Sequence, residues 1–349
     1  MPGQLSAVHV APSSLDEPAL LVAGRRLVTV TLYMGLALVY LGALPLWSSL
    51  AVAVDVARGQ GGARPRTRAL GFFGLYLGAE LVGVGIAFGI GLITLGGRLS
   101  GAARYIELNA ALQRRWTRAI FNGSLWLFGM KVEVEGAELA ARGPMLLFVR
   151  HTSSADTLLS AAMVANPHRL LLRYVLKREL LWDPCLDVVG KRLPNAFVDR
   201  RSPRSQGEID AVVSLTAGLD EASAVLIYPE GTRFEPAKLA RSVAKLSEMG
   251  LPHLAAIAAR YQRVLPPRLG GPLALLEAAP HVDVVFLEHT GFEGAATFAS
   301  FWGGGLVGKT LHVRLRRFAA ESIPTVGRDA WLFERWGELD RWVCERGEV

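Results

Sequence analysis

Residues 145–156 have the sequence MLLFVRHTSSAD, and the change of pattern inside this stretch decides the fold prediction. Its first five residues are all apolar, which is the length and composition of a strand buried on both faces. A polar turn that contains His151 follows, and Asp156 stands where a helix over 157–165 is predicted to begin. The stretch therefore predicts a buried strand that delivers a histidine and an acid into a single turn before a helix.

Strand and helix patterns alternate over the C-terminal two thirds of the chain. Because such alternation is typical of strands joined by helical crossovers, we predict an α/β fold with a mostly parallel or mixed sheet flanked by helices. The predicted strands are 131–136, 145–149, 170–176, 224–228, 282–287 and 311–315. The predicted helices are 157–165, 206–222, 236–250 and 330–343.

Two long apolar runs precede this region. Residues 27–54 contain no charged side chain, and residues 69–97 contain only Glu80. Each run exceeds the ~20 residues that a helix needs to cross the hydrocarbon of a bilayer. The recurrent glycines of the second run would let two helices approach closely. We predict a membrane helical hairpin over 25–98, either crossing the bilayer twice or entering one leaflet and returning. Two buried helices of a soluble core are the alternative.

The segments around the hairpin complete the predicted domain organisation. Residues 1–24 contain three prolines and are predicted to be a flexible tail without a signal peptide. Residues 102–128 place apolar side chains at helical spacing between arginines, which predicts an amphipathic interfacial helix in domain 99–129 or a core helix. Arginines are more frequent on the outer flanks of the hairpin than in its link, which favours cytosolic flanks. The α/β domain is predicted over 130–349.

Composition narrows the classes of function. The chain has 349 residues, a net charge of +7 and a mean hydropathy of +0.30, so an anionic partner and a lipid environment are both favoured. No compact basic run is interleaved with aromatic residues, and we therefore expect a phospholipid surface rather than nucleic acid. The two cysteines, Cys185 and Cys344, lie far apart, so neither a disulfide framework nor a metal site is predicted.

Three polar groups could carry chemistry, two of them after predicted strands and the third at the end of an apolar stretch. In the first, Asp156 could accept a hydrogen bond from one nitrogen of His151 and leave the other nitrogen as a general base. In isolation this spacing fits a helix-capping aspartate beside a turn histidine better. The second group is Pro229-Glu230-Gly231-Thr232-Arg233, whose arginine suits a phosphate. The third ends at Arg200, which could also bind an anion.

Together, in this order and behind a hydrophobic N terminus, these groups resemble the lysophospholipid acyltransferase family. The resemblance covers roughly residues 132–290. Arg150 stands where the family usually has asparagine, and Asn195-Ala196 replaces the usual glycine before the second block. The stretches that resemble the family's blocks are 151–156, 197–200, 228–233 and 265–270, with the basic stretch 176–180 between the first two.

The resemblance implies a membrane-bound O-acyltransferase whose catalytic domain lies on the cytosolic side. It would move a fatty acyl group from a thioester, acyl-CoA or acyl-acyl carrier protein, to the hydroxyl of a lysophospholipid, foremost 1-acylglycerol 3-phosphate. No bound cofactor or metal is expected. His151 would act as the base and Asp156 would orient it, while backbone N–H groups after His151 would stabilise the oxyanion. The substrate-binding residues that it implies are Arg233, Glu230, Gly231, Thr232, Arg200, Ser153, Lys177, Pro266 and Pro267.

Other functions remain open from the sequence. A different lysolipid or alcohol could be the acceptor in the same reaction. Ser153 or Ser154 beside His151 could form a serine esterase, although no Gly-x-Ser-x-Gly motif is present. A non-catalytic, lipid-binding membrane protein that retains the fold is the third possibility.

Overall fold

The computed structural model describes residues 17–153, 155–199 and 205–347, which form seven strands and twelve α-helices. The strands are β1 (Lys131–Glu135), β2 (Met145–Val149), β3 (Leu171–Lys177), β4 (Ala196–Val198), β5 (Ser223–Ile227), β6 (Asp283–Thr290) and β7 (Thr310–Phe318). The helices are α1 (Ala19–Gly42), α2 (Leu44–Ala57), α3 (Pro65–Thr94), α4 (Ala102–Phe128), α5 (Asp156–Ser160), α6 (Asn166–His168), α7 (Ser205–Ser214), α8 (Pro236–Glu248), α9 (Pro252–Ala258), α10 (Gly271–Ala278), α11 (Phe298–Trp302) and α12 (Arg328–Arg346).

The chain divides into two compact units. We call the first the N-terminal unit; it comprises Met1–Lys131, Leu176–Ala211 and Phe298–Lys309. We call the second the sheet unit; it comprises Val132–Val175, Val212–Thr297 and Thr310–Val349. The region predicted as one α/β domain is therefore not continuous, because two of its segments cluster with the N-terminal helices.

The order of strands through the sheet unit is β1-β7-β6-β2-β5-β3. β2 pairs in parallel with both β5 and β6, β3 pairs in parallel with β5, and β7 runs antiparallel to β6. The prediction of a mixed α/β sheet is therefore confirmed. β2 lies between two parallel partners and all five of its residues are buried, as its uninterrupted apolar sequence requires. The carboxyl ends of β5, β2 and β6 consequently meet at one edge of the sheet.

Helix α12 closes one face of this sheet. The ring of Phe286 on β6 lies 5.5 Å from the ring of Trp336 and 5.3 Å from that of Phe318, in edge-to-face geometry. Trp336 is completely buried and Trp342 is nearly so. These tryptophans therefore form the packing core between helix and sheet.

The N-terminal unit differs from the predicted hairpin. The uncharged run 27–54 is broken at Ala43, where α1 ends and α2 begins with Pro45 in its first turn. Helix α1 starts at Ala19, so the last six residues of the predicted tail are helical. Among the described residues, only α1 and α3 are long and apolar enough to cross a membrane.

Small residues and one buried acid organise these helices. A Cβ atom on Gly74 of α3 would lie 2.5 Å from the Tyr40 hydroxyl of α1, so this glycine permits the close approach that the sequence indicated. The carboxylate of Asp55 accepts hydrogen bonds from the backbone N–H groups of Arg66 and Thr67 at 3.2 and 3.1 Å. Asp55 therefore caps the start of α3 and closes the link between the helices.

Other elements begin or end where the sequence did not indicate. Helix α7 ends at Ser214, eight residues before the predicted end, and the helix predicted over 157–165 continues beyond Ser160 as a π-helical turn. Helix α4 buries Ile106, Leu112 and Ile120, which fits the core-helix alternative for that face. Strand β4 and helices α9, α10 and α11 were not predicted.

We expect Trp336→Ala to lower the free energy of unfolding by about 3–5 kcal/mol, because it empties the space between α12 and β6. Urea unfolding of the purified protein, followed by circular dichroism, measures this change. The matched control is Val326→Ala, since Val326 is 88% exposed and should change stability by less than about 0.5 kcal/mol. Equal stability of the two variants would contradict the assigned core.

Candidate active site

The turn after β2 carries the first candidate group to the carboxyl edge of the sheet. Backbone pairing continues one residue past the strand, because the N–H of Arg150 donates to the carbonyl of Leu287 on β6 at 3.2 Å. His151 is the first residue free of this pairing, and its side chain is 20% exposed. The strand thus delivers an accessible imidazole at a fixed position.

His151 and Asp156 form the predicted dyad. Nδ1 of His151 lies 3.0 Å from Oδ2 of Asp156, and the carboxylate is completely buried. The same oxygen accepts hydrogen bonds from the backbone N–H groups of Thr152 at 2.6 Å and Ser153 at 2.9 Å. Because an ionised carboxylate only accepts, Nδ1 carries the proton, which leaves Nε2 as the basic nitrogen.

Two expectations about this turn need correction. The Ser153 side chain is buried, and its hydroxyl donates to Oδ1 of Asp156 at 3.3 Å, so it supports the acid instead of facing a substrate. The backbone N–H groups of Thr152 and Ser153 are already bonded to Asp156, and that of Ala155 donates to the Ser153 hydroxyl. These three groups therefore cannot serve as oxyanion donors. Ser154 lies outside the described residues.

Glu230 joins the turn after β5 to the dyad. Its Oε1 accepts the backbone N–H of His151 at 2.9 Å, and its Oε2 accepts that of Leu265 at 2.9 Å. The carboxyl group is completely buried. Glu230, expected as a substrate-binding residue, holds three of the sequence blocks together through the backbone. Burial raises the pKa of Glu230 to about 8, although both N–H groups favour its charged form.

Gly231 allows this turn to form. Its φ angle is +70°, and a Cβ atom would lie 2.4 Å from Nε of Arg268. The exposed Arg233 donates from Nη1 to the Ala296 carbonyl at 2.8 Å. The hydroxyl of Thr232 accepts a 3.4 Å hydrogen bond from Nζ of Lys238. The turn therefore presents the exposed guanidinium of Arg233, whereas the Lys238 ammonium pairs with Glu235 at 2.6 Å.

The remaining predicted site residues are distributed differently. Pro266 and Pro267 are buried and directly follow Leu265, whose N–H binds Glu230. Lys177 is the exposed last residue of β3 and belongs to the N-terminal unit. Arg200 lies outside the described residues.

Sequence reasoning missed several neighbours of the dyad. The ring of Tyr228 lies 4.9 Å from that of His151. The buried Arg150 pairs with Glu293 at 2.8 Å, and the buried His289 places Nε2 3.6 Å from Oδ1 of Asp156. Arg150 was noticed only as a departure from the family pattern, whereas the strand pattern gave no sign that the end of β6 reaches the dyad.

Glu230→Gln should remove one source of pH dependence in stability. Glu230 has a folded-state pKa of about 8, compared with an ordinary value of 4.5. Its contribution to the stability of the folded state is therefore largest below pH 4.5 and is lost as the pH rises to about 8. The amide cannot accept both N–H groups, so we expect the variant to be about 1–3 kcal/mol less stable at low pH.

The wild-type advantage over Glu230→Gln should therefore shrink as the pH rises from about 6 to 9. Urea unfolding across this range measures it. Glu277→Gln on the exposed side of α10 is the matched control and should follow the wild type. An advantage that stays constant with pH would contradict the assignment.

Comparisons with known proteins agree with the motifs. A family profile described as "Acyltransferase" matches residues 131–264. The chain is 32% identical over 117 residues to a 1-acyl-sn-glycerol-3-phosphate acyltransferase of Borreliella burgdorferi, covering 33% of this chain and 44% of that protein. It is 26% identical over 222 residues to a probable 1-acyl-sn-glycerol-3-phosphate acyltransferase 5 of Arabidopsis thaliana, covering 60% of this chain and 56% of that protein.

A crystal structure of the 1-acyl-sn-glycerophosphate (LPA) acyltransferase PlsC from Thermotoga maritima aligns with a TM-score of 0.47 at 13% identity, over 76% of this chain and 95% of that one. The chain spans about half the length of the two curated relatives. Both of those relatives are named as acyltransferases, and the matched profile contains the His151–Asp156 dyad and the Glu230 turn. The resemblance to the acyltransferase family that the motifs predicted is therefore confirmed over residues 131–264.

Proposed function

We propose that this protein transfers a fatty acyl group from an acyl thioester to the free hydroxyl of 1-acylglycerol 3-phosphate, which yields phosphatidic acid. The observation that carries the proposal is the dyad, in which a partly exposed imidazole is bonded through Nδ1 to a completely buried carboxylate. Two curated relatives, named for acyl transfer to that acceptor, support the choice of substrate.

The dyad suits a direct transfer between two bound substrates. Nε2 of His151 takes the proton of the acceptor hydroxyl while that oxygen attacks the thioester carbonyl. Asp156 stabilises the imidazolium that forms. The carbon–sulfur bond then breaks, and the departing thiolate receives the proton from Nε2. Because the attacking oxygen belongs to the acceptor, no acyl-enzyme intermediate is required.

The glycine turn suits recognition of the acceptor phosphate. Arg233 is exposed and uses Nη1 to bind a carbonyl, so its other guanidinium N–H groups can bind phosphate oxygens. Lys238 pairs with Glu235 at 2.6 Å, so Arg233 is the cation of this turn that the proposal uses. Glu230 holds this turn to the backbone of His151, which fixes the distance between the phosphate and the base.

The proposal includes a membrane location with the sheet unit on the cytosolic side. Both acceptor and product carry acyl chains, so a membrane-bound enzyme need not extract them into water. The length and apolar composition of α1 and α3 support this location. The donor is acyl-CoA or acyl-acyl carrier protein, and no resident cofactor takes part.

His151→Ala should lower the rate of acyl transfer at least about 100-fold, because it removes the base that activates the acceptor hydroxyl. The assay uses labelled acyl-CoA or acyl-acyl carrier protein with 1-acylglycerol 3-phosphate and the purified protein in phospholipid. His281→Ala changes an exposed histidine and is the matched control.

Retained transfer by His151→Ala would refute the base assignment. Release of free fatty acid by the wild type without an acceptor would instead indicate a hydrolase. If the wild type gives neither product but binds lipid vesicles, the lipid-binding alternative holds.

Arg233→Ala should raise KM for the phosphorylated acceptor about 10-fold to 100-fold, the equivalent of losing one charge-assisted hydrogen bond. KM for the thioester should change less. Arg241→Ala, on the exposed surface of α8, provides a matched loss of charge. Steady-state kinetics with each substrate varied in turn separates the two constants, and a change confined to the thioester KM would refute the phosphate role.

A further inference from the structure

In the proposed reaction, one oxygen of the Asp156 carboxylate binds the catalytic histidine. The second oxygen lies close to a different histidine. Oδ2 of Asp156 binds His151, and Oδ1 faces His289, whose Nε2 is 3.6 Å away. The side chains of His289 and Asp156 are both completely buried. The acid therefore lies between two imidazoles, one accessible and one enclosed.

The hydrogen-bond partners fix the tautomer of His289. Its Nε2 lies 3.1 Å from the backbone carbonyl oxygen of Arg150, which can only accept a hydrogen bond. Nε2 therefore carries a proton, which it donates to the carbonyl of Arg150, and Oδ1 of Asp156 lies 3.6 Å from the same nitrogen. Burial lowers the pKa of His289 and thereby favours the neutral ring.

Arg150 fixes the position of that ring in return. Its guanidinium is buried and donates to the backbone carbonyls of His289 at 2.5 Å and Arg263 at 3.1 Å, and it pairs with Glu293 at 2.8 Å. Arg150 thus accepts from the His289 side chain and donates to the His289 backbone. This reciprocal pair locks the end of β6 to the turn that carries the dyad.

We infer that His289 is a positioning residue for acyl transfer, which acts by holding the second oxygen of Asp156. Among the described residues, the hydroxyl of Ser153 lies 3.3 Å and Nε2 of His289 lies 3.6 Å from Oδ1. Both groups contact Oδ1 while Oδ2 binds His151, so they oppose rotation of the carboxylate and keep Oδ2 directed at Nδ1 of His151. The inference rests on the proposed function, since it concerns the same dyad.

If His289 acts through Asp156, its loss should change the kinetic constants in a way that the loss of a purely structural residue would not. His289 is buried behind the acid and does not contact either substrate in the proposed reaction. Its loss should therefore affect kcat, which depends on the orientation of His151, and leave both KM values within about twofold. A misplaced catalytic group can cost on the order of 100-fold in rate.

The experiment compares His289→Leu with His289→Gln in the full-length protein in phospholipid. Leucine removes the N–H group, whereas the glutamine amide can donate to the Arg150 carbonyl and to Asp156. We expect His289→Leu to lower kcat about 10-fold to 100-fold and His289→Gln to recover a substantial part of it. His312→Leu on the adjacent β7, where the histidine is 22% exposed and pairs with Glu133, is the control and should keep the wild-type kcat.

Rates are expressed per mole of folded protein, which the cooperative thermal transition by circular dichroism quantifies. A normal kcat for His289→Leu on this basis would overturn the inference, even if less protein folded. An equal loss of kcat in the leucine and glutamine variants would also overturn the inference, because the hydrogen-bond donor at position 289 would then have no effect on the rate. If His289→Leu does not fold, His289→Met replaces it as the variant without a donor.

The same measurements separate this inference from the proposed function. Absence of acyl transfer by the wild type would refute the proposed function. Transfer by the wild type together with an unchanged kcat in His289→Leu would refute only the positioning role.

Discussion

A carboxylate withdrawn completely from water is the feature on which the rest of the candidate site depends. An isolated charge at such a position would cost several kcal/mol, and Asp156 avoids this cost by gathering hydrogen bonds. Two of its donors, the backbone N–H groups of Thr152 and Ser153, come from the turn that it closes. These hydrogen bonds to the carboxylate therefore stabilise the conformation of the turn. His151 belongs to that turn, so the orientation of its ring follows from the burial of the acid.

The order of the strands explains why distant parts of the sequence meet at this turn. β2 lies between β5 and β6 and is parallel to both, so three carboxyl ends lie side by side. Glu230 reaches the N–H of His151 from the β5 side, and His289 reaches the acid from the β6 side. A central strand receives support from both neighbours, which an edge strand could not. His151 keeps 20% of its side chain exposed while both neighbouring strands support its turn.

Local patterns in the sequence predicted the parts of this site that are local in the chain. The two residues of the dyad are five positions apart after one apolar strand, and the glycine turn follows another, so both could be located before the fold was known. The partners of Glu230 and the role of His289 depend on which strands are neighbours. Hydrophobic periodicity predicts the strands but not their order in the sheet. Pro45 was a visible helix-breaking signal inside the uncharged run, but the continuity of that run concealed the break at Ala43.

The allocation of segments to the two units follows from polar contacts that the sequence pattern could not reveal. Asp187 is completely buried and binds Arg25 and Arg26 at 3.0 and 3.2 Å, while Glu80 of α3 accepts the N–H of Cys185 at 3.0 Å. Apolar packing alone gives little specificity to helices in lipid, whereas buried polar pairs define a single register. The described residues 176–199, which include Lys177, are thereby fixed to the apolar helices. Under the proposed function, Lys177 belongs to the same unit as the helices expected to meet the bilayer, whereas the base, its acid and the phosphate-binding Arg233 belong to the sheet unit.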